Sequence, residues 1–563
     1  MTIAPVPVGG QRELSLDSMS AFAETIYLQK YAWKNEKDEP IETWADTALR
    51  VTDNVMGVLG YTPGDREYEQ VLRFITERKF LPGGRYLYAA GRGLHQTQNC
   101  LLLRAEDSRE GWADLMHKSG MALMTGAGIG IDYSQIRPSG SPIKKTGGFA
   151  SGPIALMKII NEIGRGVMQG GSRRSAIWAG LSWRHADIMD FIRLKDWSEE
   201  ARKLKEEDFN FKMEMEYTNI SVILDDEFFE AYQDEEHDLH PLAHEVYWST
   251  LNKALTTAEP GFSVDVGINA GETLRNACTE VTSRDDSDIC NLGSINLARI
   301  ENKEEMREVV EAATLFLLAG TVYSDVPYQQ VRDVRQQNRR LGLGLMGVHE
   351  WLAKRGKPYA PDSELAEWLD LYAESTDIAK AHSKRFGLTQ PVKTRAIAPT
   401  GTIAIIGETT TGIEPIFCVA YKRRYKTAQA NGHDTIQFQY VIDPTAQRLI
   451  DEGIDPEKIE DAYMLSYDAE RRIQFQAWMQ RWVDHGISST LNLPYAIADK
   501  KEQRTFGEML MKYLPNLRGI TVYPDGARGG QPIVAVPYHV AADQVGVVFE
   551  ESDERCVSGA CGI

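Results

Sequence analysis

Over the first 80 residues apolar side chains return every three to four positions. LSLDSMSAFAETIYLQKYAW and WADTALRVTDNVMGVLG both show this, with charges between, which predicts amphipathic helices from about residue 13 to 80. The glycines of LPGGRYLYAAGRG then break the period. From about 100 to 300, Gly-rich loops alternate with helical stretches and short β-like runs such as ISVIL, 220–224. Residues 303–385 and 445–515 are predicted to be mainly helical. AIAPTGTIAIIGETTTGIEP, 396–415, predicts a strand, a turn and a helix followed by a second Gly/Thr turn, and GITVYP, 519–524, a last strand. After Gln531 the regularity fades into FEESDERCVSGACGI, an acidic, small-residue segment that reads as a mobile tail. No internal repeat is visible. The mixture implies an α/β or α+β architecture, and periodicity alone does not specify a barrel.

Composition adds limits. With 563 residues, 42% apolar and 25% charged, the chain is globular and long enough for several domains. A net charge of −19 argues against a nucleic-acid coat or an anionic-membrane binder, but not against a nucleotide, since phosphate sites are local. No charged start followed by an apolar run, and no stretch of 18 apolar residues, is present, so a soluble cytoplasmic protein is expected. The six cysteines, Cys100, Cys278, Cys290, Cys418, Cys556 and Cys561, are too few for a secreted disulfide scaffold. None forms Cys-x-x-Cys, so no metal site is expected.

Four segments carry chemistry. In Asn276-Ala-Cys278-Thr-Glu280, an extended backbone would project an amide, a thiol and a carboxylate together; a buried cysteine on an ordinary edge is the plainer alternative. Asp288-Ile-Cys290-Asn-Leu-Gly brings a second thiol twelve residues later, or simply packs a cysteine in a turn. Pro399-Thr400-Gly401-Thr402-Ile403 offers hydroxyls and a closely approachable backbone to a phosphate, although the same residues make a good helix N-cap. Cys556 and Cys561, spaced for a small disulfide in the acidic tail, read as a redox pair. As a flexible chain, the residues from Pro532 to Cys556 would span about 25–30 Å root-mean-square. Together these parts suit replacement of a hydroxyl by hydrogen. That needs two electrons, which a dithiol becoming a disulfide supplies and a second dithiol restores by exchange.

From about residue 80 to the end the chain resembles ribonucleotide reductase catalytic subunits. Asn276-Ala-Cys278-Thr-Glu280 is similar to the family's Asn-x-Cys-x-Glu loop, and GGSRRSAIWAGLSWRHADIMDFIRLK, 170–195, occurs in the family's order with the first three segments. The resemblance implies a ten-stranded α/β barrel over residues 81–530, preceded by a helical region, 1–80, without an ATP cone, and followed by a flexible tail, 531–563. It implies that Cys278 carries a thiyl radical, Glu280 is a general base, Asn276 hydrogen-bonds the substrate hydroxyls, and Cys100 with Cys290 supplies the electrons. Cys556 and Cys561 would regenerate that pair. Thr400, Gly401, Thr402 and Ile403 would line the substrate phosphate site, and Cys418 would be structural. GGFASGP, 147–153, and the loop containing Gln169, Arg173 and Arg174 resemble the region that binds a deoxynucleotide effector. Surface ion pairs are the alternative for the two arginines.

The family makes its thiyl in three ways. One class relays a radical from a separate metal-containing subunit through adjacent tyrosines, but this chain has no Tyr-Tyr, only Tyr523 in GITVYP as a candidate relay. A glycyl-radical class has a C-terminal cysteine cluster that is missing here. The resemblance therefore implies adenosylcobalamin as cofactor, with a metal-subunit partner as the alternative. A glycyl-radical lyase or an inactive nucleotide-binding homologue are more distant readings. Implied partners are a ribonucleotide di- or triphosphate, a dNTP effector, a thioredoxin- or glutaredoxin-like reductant and a second copy of the chain.

Overall fold

The computed structural model describes residues 19–144, 147–167, 175–207, 211–428, 434–525, 533–545 and 548–549. The early periodicity becomes helices Ala21–Lys30, Trp44–Gly57 and Arg66–Thr76. Thr43 and Asp46 close a reciprocal capping box at the start of the second. Val51, Val55, Val71 and Phe74 are buried from these helices in a core that includes Val309, Ala313 and Phe316 of helix Lys303–Tyr323. That helix is apolar on nearly every side because it is buried between the N-terminal helices and the sheet.

The strands in chain order are β1 (Phe80–Pro82), β2 (Cys100–Arg104), β3 (Gly128–Asp132), β4 (Ile177–Ser182), β5 (Thr218–Asp225), β6 (Gly261–Asp265), β7 (Leu274–Arg275), β8 (Thr282–Ser283), β9 (Asp288–Asn296), β10 (Leu341–Met346), β11 (Ala420–Ala428), β12 (Asp434–Ile442), β13 (Thr490–Leu493) and β14 (Gly519–Pro524). Ten of them form one sheet. Strands β2 to β6 run parallel, as do β9 with β10 and β13 with β14. The β2–β6 set meets the other two antiparallel, at β2/β9 and at β6/β14. Residues 393–397 join the remaining edges. Leu343 N donates to Thr394 O (2.9 Å) and Ala396 N to Leu343 O (3.0 Å), while Ile397 N donates to Gly486 O (3.1 Å) and Ser488 N to Ile397 O (2.9 Å). The path thus returns from the segment before β13 to β10 and β9, giving the α/β barrel its ring.

Alternation sorts the side chains. Leu101, Leu103, Ile129 and Ile131 face the surrounding helices, whereas Cys100, Leu102, Cys290 and Ala396 share an inner cluster with Leu274 and Val281 of the β7–β8 hairpin. The hairpin fits inside because β3 presents glycines to it. A Cβ on Gly130 would fall 1.8 Å from the Arg275 carbonyl oxygen, and one on Gly128 would fall 3.0 Å from the Ala277 Cβ.

Four regions differ from expectation. Within 303–385, Leu-Gly-Leu-Gly-Leu-Met forms strand β10, since glycine alternation suits a strand packed on both faces; β13 likewise interrupts 445–515. β11 and β12 form an unforeseen long antiparallel hairpin. The folded body does not end near residue 530: Ile533–Ala535 pairs with β11 and Val548–Phe549 with β12, and Ala541 between them is buried. Pairing to existing strand edges supplies the order that the weak periodicity of this segment did not signal. Residues 550–563, with Cys556 and Cys561, lie outside the described residues.

Candidate active site

Asn276–Val281 joins β7 to β8 as a tight turn rather than an extended run. Thr279 N donates to Asn276 O (3.0 Å), Asn276 N to Val281 O (3.3 Å), and Val281 N to Asn276 Oδ1 (3.0 Å). Thr279 takes a left-handed φ of 70°. The alternation expected of a strand is lost in consequence: Cys278 is exposed at the tip while Asn276 and Glu280 are buried. Gly486 holds the turn from the opposite wall, its N–H donating to Glu280 O (2.7 Å). A Cβ there would crowd the carbonyl oxygens of Thr279 and Glu280, each at 3.2 Å.

Beside the turn, Cys100 and Cys290 stand directly opposite each other across the antiparallel β2/β9 seam. Cα separations for such pairs fall in the range that a disulfide spans. Both are buried thiols, and burial pushes both well above the usual thiol range. For Cys100 the charges of Glu280, Cys290 and Cys278 add to that rise, and the Asn276 amide opposes it. For Cys290, Asp288 raises and the Arg340 guanidinium lowers. The Cys290 thiol itself donates to Asn291 O at 3.3 Å.

Glu280 is fully buried and neither carboxylate oxygen has a hydrogen-bond partner among the described residues. Burial pushes its pKa up to about 7, against smaller lowering effects from its own backbone and the Asn276 amide. A carboxyl so tuned exchanges protons near neutrality. Asn276 spends its carbonyl oxygen on Val281, so its NH₂ is the part that turns to Glu280 and Cys100.

Cys278 borders a cavity of about 240 Å³ whose wall includes Trp178, Asn219, Ser221, Pro399, Ser488 and Tyr523. Trp178 Nε1 donates to Ser221 Oγ at 2.9 Å. Tyr523 on β14 reaches the same cavity opposite Asn492 of β13. Pro399 links the cavity to the Thr400–Ile403 loop. There Thr400 adopts φ 52° and its Oγ1 accepts from Gly412 N (2.8 Å), while the space beside Gly401 is open. Helix Ile403–Gly407 follows, with Thr402 at the N-cap position but no side-chain cap bond. The capping alternative is therefore not realised, and the Thr402 hydroxyl is not spent on its own helix.

The Ser488–Thr490 wall, Gly486 and Trp178 were not singled out from sequence. Glycine alternation at 128 and 130 could have hinted at a hairpin against β3, but nothing local marks residues 486–490. Cys418 is buried, as expected. Gln169, Arg173, Arg174, Cys556 and Cys561 lie outside the described residues. Of the neighbouring GGFASGP stretch, Gly147 and Gly148 have positive φ, Phe149 is exposed and helix Gly152–Gly166 begins at its end. No group that could hold a metal occurs among the described residues, and no described helix is long and apolar enough to cross a membrane.

Residues 98–254, 242–370 and 370–523 match the ribonucleotide reductase barrel domain. The chain belongs to this family. Among curated reductases, it is 28% identical to the vitamin B12-dependent ribonucleoside-diphosphate reductase of Mycobacterium tuberculosis, over 93% of this chain and 81% of that protein. A protein of Mycobacterium phage D29, whose assigned name is adenosylcobalamin-dependent ribonucleoside-triphosphate reductase, is 27% identical over 96% of this chain and 98% of its own length. The ribonucleoside-diphosphate reductase large chain of Schizosaccharomyces pombe is 27% identical over 50% of this chain and 40% of its own.

Proposed function

We propose that this chain is the catalytic subunit of an adenosylcobalamin-dependent ribonucleotide reductase, with Cys278 as the residue that carries the radical. The observation that carries the reading is the meeting of an exposed thiol, a buried proton-exchanging carboxyl and a cross-strand dithiol: Cys278, Glu280 and Cys100 opposite Cys290. The B12-dependent names of the relatives that span most of the chain support the cofactor assignment.

The residues present fit that cofactor. Cys278 opens on a cavity walled by an aromatic ring, amides and hydroxyls, among them Trp178, Asn219, Ser221 and Tyr523, which would hold the adenosyl portion. When bound, adenosylcobalamin supplies the one-electron chemistry that takes the hydrogen atom from the Cys278 thiol. The chain's own residues do the rest. Cys278 removes the substrate 3′ hydrogen and returns it to the 3′ carbon once the 2′ position is reduced, Glu280 accepts the 3′-hydroxyl proton and gives it back in the same cycle, and the Asn276 NH₂ orients the hydroxyls. Cys100 and Cys290 give up two hydrogens as their S–S bond forms; the 2′ carbon loses its hydroxyl as water. Their raised pKa values keep them as neutral thiols, the form that carries those hydrogens. The barrel wall excludes other hydrogen donors.

Thr400–Ile403 would seat the substrate phosphates. The relatives' names are divided between diphosphate and triphosphate substrates. Cys556 and Cys561 would reset the internal pair by thiol–disulfide exchange with a thioredoxin- or glutaredoxin-like protein. A dNTP effector around Gln169, Arg173 and Arg174 and a homodimer complete the reading. The test is an assay of the purified chain with CDP or CTP and a dithiol reductant, with and without adenosylcobalamin. Deoxynucleotide is expected only with the cobalamin. Formation that instead requires a second, metal-containing subunit would overturn the cofactor assignment and restore Tyr523 as a relay.

A further inference from the structure

We propose that Glu408 is a positioning residue for the substrate, clamping the Thr400–Ile403 loop from behind and tying it to the N-terminal helical region. The inference rests on reading that loop as the phosphate seat. Helix Ile403–Gly407 is five residues, about 7–8 Å long, and too short to hold itself together. Its far end is where partners from four distant parts of the chain converge.

Glu408 ends the helix with a left-handed φ of 51°. Its carboxylate accepts from Ser20 N (2.8 Å), Arg78 Nη1 (2.7 Å) and Arg299 Nη2 (3.4 Å). The last carbonyls of the helix are covered as well. Arg78 donates to Ile406 O (3.4 Å), Asn296 Nδ2 and Arg299 Nε donate to Gly407 O (3.0 and 3.2 Å), and Arg448 donates to Glu408 O. Cations belong at a helix C-terminus, where the unpaired carbonyls gather. Three guanidinium groups crowded there would repel one another, and Arg78 is almost wholly buried. The Glu408 carboxylate is what allows Arg78 and Arg299 to approach together.

Ser20 is itself the N-cap of helix Ala21–Lys30. Its N–H bond to Glu408 crosses 388 positions of sequence and connects the first described helix to the loop that would meet the phosphates. A displacement at Glu408 passes through a single helical turn to Thr402 and Gly401.

The test uses the full chain without cobalamin, titrated calorimetrically with CDP, alongside steady-state kinetics of the cobalamin-loaded enzyme. Glu408→Gln keeps the shape and removes the charge, and should weaken CDP binding roughly tenfold, with the loss falling on KM rather than kcat. Ser20→Pro removes the N–H donor together with the hydroxyl that caps helix Ala21–Lys30 and should weaken binding about two- to threefold, whereas Ser20→Ala, which keeps the N–H and loses the hydroxyl, should weaken it less; the pair decides the matter if Glu408→Gln does not fold. Thr402→Val serves as the control for the loop. If Thr402→Val weakens binding while neither Glu408→Gln nor Ser20→Pro does, the clamp is overturned and the phosphate reading stands. If Thr402→Val binds CDP normally, the phosphate reading falls and the clamp with it. A Glu408→Gln enzyme that loses kcat at unchanged KM also overturns the clamp.

Discussion

Two carboxylates eight residues apart on the same hairpin behave in opposite ways. Glu280, at the tip, and Glu272, at the foot, are both buried. Glu280 has no ion-pair partner among the described residues, and burial raises it to about 7. Burial raises Glu272 as well, but Lys393, Arg340 and the Thr282 hydroxyl together outweigh it and hold that carboxyl below its ordinary range. Glu272 pairs with Lys393, with Arg340 and Arg518 at 3.6 Å each, and accepts from Thr282 Oγ1 at 2.7 Å. Arg340 turns its Nε to Asp288 at 2.5 Å, and the buried His485 Nδ1 accepts from Thr282 N at 3.2 Å. The foot is an ionic lattice that fixes the hairpin. The tip keeps an exposed thiol beside a buried carboxyl that no described cation pairs. Stability and reactivity are thus segregated along one short hairpin.

The comparison breaks first at Cys278. Cys278→Ser should abolish deoxynucleotide formation while calorimetric CDP binding persists; substantial residual turnover would remove Cys278 from the radical role. Next, Glu280→Gln should lower kcat about 10²- to 10⁴-fold and remove the acidic limb near pH 7 from the rate profile. A profile that keeps that limb would assign it to another group.

The same substitution tests the tip's cost to stability. A carboxyl raised from 4.5 to about 7 in the folded state binds its proton more tightly there than when unfolded. Its stabilising contribution is therefore full below about pH 4.5 and is lost as pH rises through about 7, on the order of 3 kcal/mol. Urea unfolding at pH 8 should find Glu280→Gln more stable than the unaltered chain, and the difference should shrink toward pH 5. Glu272→Gln should do the reverse. Leaving Lys393, Arg340 and Arg518 uncompensated should cost about 3–5 kcal/mol at pH 7. Because the folded carboxyl is depressed, its contribution is present above the ordinary carboxylate pKa and fades as pH falls through the folded value. An unchanged urea midpoint would mean that the foot is no anchor. The smallest effect is expected at Tyr523→Phe, less than about tenfold in kcat, because the substitution keeps the ring in the cavity wall and removes only a hydroxyl. Complete loss would instead mark a radical relay.

Much of the site was legible because its residues cluster in sequence. Asn276, Cys278 and Glu280 lie within five positions, and Thr400 to Ile403 are consecutive. The early helices and the last strand follow from periodicity. β10 was missed because Leu-Gly alternation carries too little polar contrast to oppose a helical neighbourhood. The β11–β12 hairpin and the strands after residue 530 depend on pairing partners that no local pattern names.

The sequence by itself determined which chemical groups this protein owns: one thiol beside a carboxyl, further thiols at 100 and 290, a Thr-Gly-Thr loop. Only the tertiary structure decided what those groups can do. Register set Cys100 against Cys290 across 190 positions of chain. The missing side chains of Gly130 and Gly486 let the hairpin enter the barrel, and the turn at Thr279 separated Cys278 from its buried neighbours. Burial without a counter-charge then moved Glu280 toward neutrality, while the ionic lattice held Glu272 down. A pKa reflects the dielectric and charges around a group, and in this barrel those surroundings come from strands far apart in sequence.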